Sequence, residues 1–158
     1  MAKLLFVLLL VLTTACQQAP AATDASSAER QTAVDAYLTE YQFVKQDLAD
    51  STEGGEVNFY MDGEQVQKIE ALRMGEMGQS FEEYYFSDGE LDSAVITKTT
   101  YNRPIYWDEQ MAAESGDTEA FDLAKSVVTE SSYDYRAGDS SSEALHWKES
   151  AEALMENL

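Results

Sequence analysis

The chain has few of the residues on which most enzyme chemistry depends. Its 158 residues include one cysteine, Cys16, and one histidine, His146. No disulfide can form within the chain, and a zinc site built on two histidines is excluded. A Ser–His–Asp triad would have to use His146, whose neighbours Leu145 and Trp147 favour a strand, and no Gly-x-Ser-x-Gly elbow is present. The sequence therefore predicts no catalytic residue and no cofactor, and it contains no nucleotide-binding glycine motif.

Basic residues are also scarce. Ten Lys and Arg stand against 30 Asp and Glu, which gives a formal charge of −20 at pH 7. Nucleic acid is excluded as a partner, because binding a phosphate backbone requires clustered basic side chains. The acidic residues are spread along the chain, so they indicate either an acidic surface that attracts a basic protein partner or a surface that only keeps the protein soluble.

The first fifteen residues have the three parts of an export signal. A positive start at Lys3 is followed by an apolar run over residues 4–12 and by the small residues Thr13, Thr14 and Ala15. A run of this length is too short to cross a bilayer as a helix, which takes roughly 20 residues. Residues 1–15 are therefore predicted to be a signal peptide.

Small residues that end in a cysteine at this position resemble the lipobox of bacterial lipoproteins. Thr13 stands where that motif usually has Leu, and Leu12 lies one place further out. The resemblance implies that Cys16 is acylated, becomes the first residue of the mature chain and anchors it to the membrane. Gln17 in place of Asp implies the outer membrane rather than the inner one, with the protein facing the periplasm. The alternative is an ordinary signal peptide, cleaved after Ala15 or Ala22.

The rest of the chain is long enough for one domain. Residues 16–27 are rich in Gln, Ala, Thr and Ser and are predicted to be a flexible tether, followed by a single α+β domain over residues 28–158. Apolar residues at helical spacing predict a long helix over residues 28–49: Val34, Tyr37, Leu38, Tyr41, Val44 and Leu48. We expect this helix to pack on an antiparallel β-meander that is followed by short C-terminal helices.

Two Asp-Gly pairs predict the meander. Strands are expected over residues 56–61, 65–73, 80–87 and 91–101, with turns at Asp62-Gly63 and Asp88-Gly89 and a connection marked by Gly75 and Gly78. An aromatic pair before Asp-Gly-Glu occurs in both hairpins. This pattern resembles the hairpins of small envelope proteins of unassigned role and, more distantly, MORN-type repeats, and it implies a style of fold rather than an activity.

The C-terminal third predicts shorter elements. Asp108 caps a short helix that Gly116 ends, and a second helix starts at Thr118 with Phe121, Ala124 and Val128 inward. Residues 131–136 and 144–148 form a last hairpin. Ser150 caps a terminal helix with four residues inward: Ala151, Leu154, Met155 and Leu158.

The resulting functional hypothesis is a non-catalytic binding or accessory lipoprotein. Aromatic side chains on the sheet are its candidate partner-binding residues, because Tyr and Trp are favoured at interfaces: Tyr60, Tyr84, Tyr101, Tyr106 and Trp107. The alternatives are an acidic inhibitor or immunity-like protein that neutralises a basic enzyme, and a hydrolase that uses paired carboxylates.

One turn carries weak candidates for a calcium site. Asp88, Glu90 and Asp92 alternate around it, and oxygen ligands suit Ca²⁺. The stretch lacks the EF-hand layout, and the Asp-Gly pair is explained by the turn, so these residues are weak candidates and no metal site is predicted.

Overall fold

The structure is a computed structural model, and it describes residues 25–48, 51, 53–156 and 158. Within these residues the chain forms one six-stranded antiparallel sheet, with the strands in chain order, and three short helices. The predicted signal peptide, Cys16 and the tether as far as residue 24 lie outside the described residues. The elements are α1 (Ser27–Ala36), β1 (Gln42–Asp47), β2 (Gly55–Asp62), β3 (Gln65–Gly75), β4 (Gly78–Ser87), β5 (Glu90–Thr100), α2 (Glu109–Ser115), β6 (Val127–Asp134) and α3 (Ser142–Met155).

The four strands predicted from the Asp-Gly pairs are present as β2 to β5. Asp88 and Gly89 have φ values of 56° and 81° and form the two-residue loop between β4 and β5. Two positive φ values are what a type I′ hairpin turn requires, which explains why this pair fixes the register. In the β2–β3 hairpin the loop is Gly63-Glu64, one residue later than predicted, with Gly63 at φ 61°.

The predicted fold class, a long N-terminal helix on a β-meander with short C-terminal helices, is wrong. Helix α1 ends at Ala36, and after a turn the chain becomes the edge strand β1. Phe43 is aromatic and Val44 is β-branched, and both residue types favour extended backbone. Val44 also pairs with Phe59 in β2, and the helical spacing of the apolar residues gives no sign of this backbone pairing. The sheet therefore has six strands, two more than the predicted meander.

Among the elements predicted in the C-terminal third, α2 is present, and the terminal helix is present but begins at Ser142 rather than after Ser150. Asp108 caps α2 and Gly116 ends it at φ 75°, as expected. The predicted helix from Thr118 is wrong, because only one 3₁₀ turn (Leu123–Lys125) forms before β6, where Val128 is 63% exposed.

The predicted last hairpin is also wrong. Strand β6 pairs with β5, while residues 144–148 belong to α3, which Ser141 rather than Ser150 caps. Ala151 and Leu154 are buried as predicted and Met155 is partly buried, but Leu158 is exposed.

The core lies between one face of the sheet and α3. A row of directly paired residues crosses β2 to β6, and all of them are buried: Phe59, Ile69, Tyr84, Ala94 and Tyr133. Helix α3 covers this row with residues at 3,4,3 spacing that belong to the same apolar cluster: Ala144, Trp147, Ala151 and Leu154.

Helix α1 lies on the opposite face and buries none of its own residues. Polar side chains hold it there: the Nε of Arg30 lies 2.6 Å from the Asp92 carboxylate, and the Gln31 amide donates to the Ser93 hydroxyl at 3.1 Å. The two faces of the sheet are therefore covered in different ways, one by apolar packing and the other by hydrogen bonds and ion pairs.

Candidate functional site

A cleft of about 830 Å³ lies between α3 and the sheet. It opens beside the edge strand β1, where Asp47 and Leu48 line it, and one wall is formed by α3. Its volume is within the roughly 300–1,000 Å³ that is typical of small-molecule sites. Hereafter this space is called the α3 cleft.

A buried carboxylate lines the α3 cleft. Glu82 is 1% exposed, and it points toward α3 because its position in β4 places it on the core face, opposite Ala71 and Ile96. An acidic side chain almost never occupies such a position without partners. Apolar packing of the core therefore does not explain why Glu82 is buried in the cleft.

Protein donors satisfy both oxygens of Glu82. The Ser80 hydroxyl donates to Oε1 at 2.8 Å, and the Tyr84 hydroxyl donates to Oε2 at 2.9 Å. The Nε of Arg73 lies 3.3 Å from Oε1 and 3.4 Å from Oε2, so a guanidinium balances the charge. These contacts are what allow a carboxylate side chain to remain in the core.

Tyr84, one of the donors to Glu82, lies at the centre of the sheet. Its side chain is completely buried. Burial raises the pKa of the Tyr84 hydroxyl far above its usual range, and the negative charge of Glu82 raises it further. The hydroxyl therefore stays protonated and continues to donate to Glu82 at any physiological pH.

The remainder of the cleft is mixed in character. Leu48, Val57, Trp147 and Leu154 provide apolar walls, while Asp47 and Glu149 are exposed acidic residues that also line it. A ligand in the α3 cleft would therefore contact apolar surface and carboxylates together.

His146 lies on α3 and lines the same cleft as Ser150. This corrects the expected strand position of the histidine. Among the described residues, no side-chain hydrogen bond joins the His146 ring to a serine or a carboxylate, and its ring instead lies 5.0 Å from that of Trp147. The arrangement is not that of a catalytic triad, in which the base contacts both the nucleophile and an orienting acid.

The structure does not bring the five predicted aromatic residues together. Tyr84 is in the core, whereas Tyr60 lies on the opposite face and donates to Glu70 at 2.8 Å. Tyr101 packs edge-on against Phe121, with the ring centroids 5.3 Å apart.

The other two aromatic residues follow β5. Tyr106 is 52% exposed, and Trp107 is partly buried, with an indole N–H that finds no hydrogen-bond partner among the described residues. Only Tyr106 presents most of its ring to solvent in the way a partner-binding residue would.

The three weak calcium candidates are also separated. Asp92 is the extra residue of a β-bulge, is buried, and forms ion pairs with Arg30 and Arg136, whereas Asp88 and Glu90 are exposed at the turn. In the part of the chain that the structure describes, no group of three or more His, Cys, Asp or Glu is placed to hold a metal ion.

The sequence does not predict the α3 cleft, because residues 144–148 are expected to form a strand, whereas they belong to α3. The 3,4,3 spacing of Ala144, Trp147, Ala151 and Leu154 was the available signal, and a serine stands before it at position 141. Nothing in the local sequence marks Glu82, because its environment depends on strand pairing.

No protein-family model matches this chain, and no curated protein or solved structure compared with it gives a significant match. Over the described residues, none of the helices is both long and apolar enough to cross a membrane.

Proposed function

We propose that this protein is a non-catalytic binding lipoprotein of a bacterial envelope. A lipid on Cys16 anchors it, in the outer membrane and facing the periplasm, and the tether holds the folded domain clear of the bilayer. The α3 cleft is its binding site. The observation that supports the binding role is the cleft itself, which has the volume of a ligand site and combines apolar walls with a few placed polar groups. The lipid anchor and the location rest on the lipobox resemblance that ends at Cys16.

The geometry of the cleft favours binding over hydrolysis. Three carboxylates line it, which is the one feature that a carboxylate hydrolase would share. However, both oxygens of Glu82 already accept hydrogen bonds from the protein, and Asp47 and Glu149 are exposed to solvent. A general acid needs a proton aimed at the ligand, and the contacts of Glu82 leave no such arrangement.

Native mass spectrometry tests the proposal. The protein, purified in mild detergent and incubated with envelope extract, is expected to acquire a bound mass that survives gentle ionisation. Ala153→Trp places an indole in the α3 cleft and is expected to prevent binding of the ligand, so that the added mass disappears. Leu145→Trp is the matched control, because Leu145 is exposed on the same helix and does not line the cleft. Absence of any bound mass, or equal retention by both variants, would contradict the cleft as the binding site.

The acidic inhibitor is the second candidate function, and the excess of acidic residues supports it. It requires a basic protein partner, captured by the acidic surface with an affinity that falls steeply as salt rises. Capture of such a partner that is unaffected by Ala153→Trp would favour this candidate over the cleft.

A further inference from the structure

The ligand of the α3 cleft can be described further from the charges that line it. Among the described lining residues, the acidic side chains are Asp47, Glu82 and Glu149, and Arg73 is the one lysine or arginine. Arg73 is already paired with Glu82 through its Nε. The charges of Asp47 and Glu149 are therefore not balanced by a lysine or arginine that lines the cleft.

The charge of the whole chain strengthens the negative potential in the α3 cleft. The whole chain has a formal charge of −20, and a concave site focuses the potential of the surface around it. Another cation, Lys98, contacts a lining residue, since its ammonium lies 4.7 Å from the ring centroid of Trp147, but Lys98 itself does not line the α3 cleft. An anionic ligand would meet uncompensated repulsion from Asp47 and Glu149.

The apolar walls limit the ligand in a second way. Leu48, Val57 and Leu154 line the cleft together with Trp147, so a small hydrated cation alone would leave this surface uncovered. A ligand that buries an apolar group against it gains about 25 cal/mol for each Å² removed from water.

We infer that the α3 cleft binds an amphipathic cation: a short peptide segment in which Arg or Lys stands beside an aromatic or aliphatic residue. The apolar side chain packs between α3 and the edge of the sheet, and the guanidinium or ammonium lies at the rim beside Asp47 and Glu149. This inference rests on the proposed function, since it names the ligand class of the same site.

Fluorine NMR provides a direct readout. The protein has two tryptophans, so 5-fluorotryptophan labelling gives two resonances, and Trp107→Phe assigns them. Trp147 lines the cleft and Trp107 does not, which makes Trp107 an internal control. The probes are three capped dipeptides: acetyl-Phe-Arg-amide, its neutral analogue acetyl-Phe-citrulline-amide, and acetyl-Phe-Glu-amide.

The Arg probe is expected to shift the Trp147 resonance saturably and to leave Trp107 unchanged. The citrulline probe should bind at least about tenfold more weakly, because it keeps the shape and loses the charge, and the Glu probe should not bind. Asp47→Asn and Glu149→Gln should each weaken the Arg probe about two- to fivefold, the range for exposed charge pairs. Glu152→Gln is the matched control, since Glu152 is exposed on α3 outside the cleft and should leave affinity unchanged.

Two results would overturn the inference. One is equal or tighter binding of the citrulline or Glu probe, which would leave the cleft as a binding site for another ligand class. The other is no shift of Trp147 with any probe. The proposed function is judged separately, because the bound mass acquired from envelope extract does not depend on these probes.

Discussion

Lys68 shows how one buried cation organises a face of the sheet. Its side chain is 3% exposed, and its ammonium lies 2.8 Å from Asp35 of α1, 2.8 Å from Glu83 and 3.0 Å from Glu70. It also lies 4.9 Å from the ring centroid of Tyr85. Burial alone lowers the pKa of Lys68, but the hydrogen bonds to Asp35, Glu83, Glu70 and Tyr85 outweigh it and raise the pKa well above its usual value.

Lys68→Met is expected to destabilise the fold, because it leaves three carboxylates close together without a cation. Removing one partner of a fully buried ion pair costs about 3–5 kcal/mol. Asp35 is 42% exposed, so we expect a smaller loss of about 2 kcal/mol. Urea denaturation at pH 7 measures this loss in the free energy of unfolding. The control is Lys45→Met, because Lys45 on the edge strand β1 forms an exposed pair with Glu56, and losing such a pair should cost far less than losing Lys68. Equal losses for the two variants would contradict a special role for Lys68.

The ionisation of Tyr60 should make the free energy of unfolding depend on pH in alkaline solution. Burial, followed by the hydrogen bond to Glu70, raises the pKa of the Tyr60 hydroxyl to about 12. The unfolded chain ionises this tyrosine near pH 10 and therefore binds fewer protons than the folded chain above that pH. The free energy of unfolding should fall as pH rises from about 10 toward 12, and the titration of Tyr60 should have no effect near neutrality.

Urea denaturation at several pH values between 8 and 11.5 measures this dependence. Tyr60→Phe removes the ionising group, so its free energy of unfolding should fall less steeply above pH 10 than that of the unaltered chain, whatever its value at pH 8. Identical slopes for the two proteins would show that Tyr60 ionises as freely in the folded state as in the unfolded one.

At the scale of elements, α1 and α3 differ in what holds them to the sheet. Helix α3 buries four side chains in the core, whereas α1 buries none and is attached through polar contacts. Both have a serine cap: Ser26 forms a capping box with Glu29, and the Ser141 hydroxyl accepts from the Ala144 N–H at 3.1 Å. Replacing each capping serine with alanine therefore compares how much the two helices contribute to the stability of the fold.

Ser141→Ala should lower the free energy of unfolding by about 1 kcal/mol, because α3 can unfold only with the core. Ser26→Ala should change it by less than about 0.5 kcal/mol, since α1 can lose its first turn without exposing buried apolar surface. Chemical denaturation measures the global value, and amide hydrogen exchange of α1 should rise in the Ser26 variant. A larger global loss for Ser26→Ala would show that α1 is part of the cooperative core.

The elements also show which parts of the fold could be predicted. Asp88-Gly89 specifies a hairpin turn locally, so the sequence alone predicts β4 and β5. Tyr41, Val44 and Leu48 fit a helical period, but Phe43 and Val44 form an edge strand because β2 is available to pair with them. That competition is decided by tertiary contacts, which a local pattern does not contain.

The candidate site was less predictable than the fold. Ser80 and Tyr84 are close to Glu82 in the sequence, but its burial depends on its pairing with Ala71 and Ile96 in the neighbouring strands. Its cationic partner Arg73 also comes from a neighbouring strand, so the local sequence does not mark Glu82 as buried. The α3 cleft exists only when β1 and α3 are both placed correctly, and the sequence pattern misassigned both. The acidic excess that defines the inferred ligand could be read from composition alone.

At the scale of the whole molecule, the charge of −20 is the dominant electrostatic feature. Repulsion among exposed carboxylates opposes the compact state, and salt screens it over a Debye length of about 10 Å at 0.1 M. The melting temperature should therefore rise by several degrees between 20 mM and 500 mM NaCl, as measured by circular dichroism. A falling melting temperature would mean that the ion pairs around Lys68 and Glu82 are screened more than the repulsion is.

The proposed location of this protein depends on lipidation of Cys16. The most direct test is mass spectrometry of the protein isolated from bacterial membranes, read at its N-terminus. We expect a mature chain that begins at Cys16 and carries the added mass of acyl groups on that residue. A chain that keeps an unmodified Cys16 thiol, or that begins downstream after Ala22, would contradict the membrane anchor.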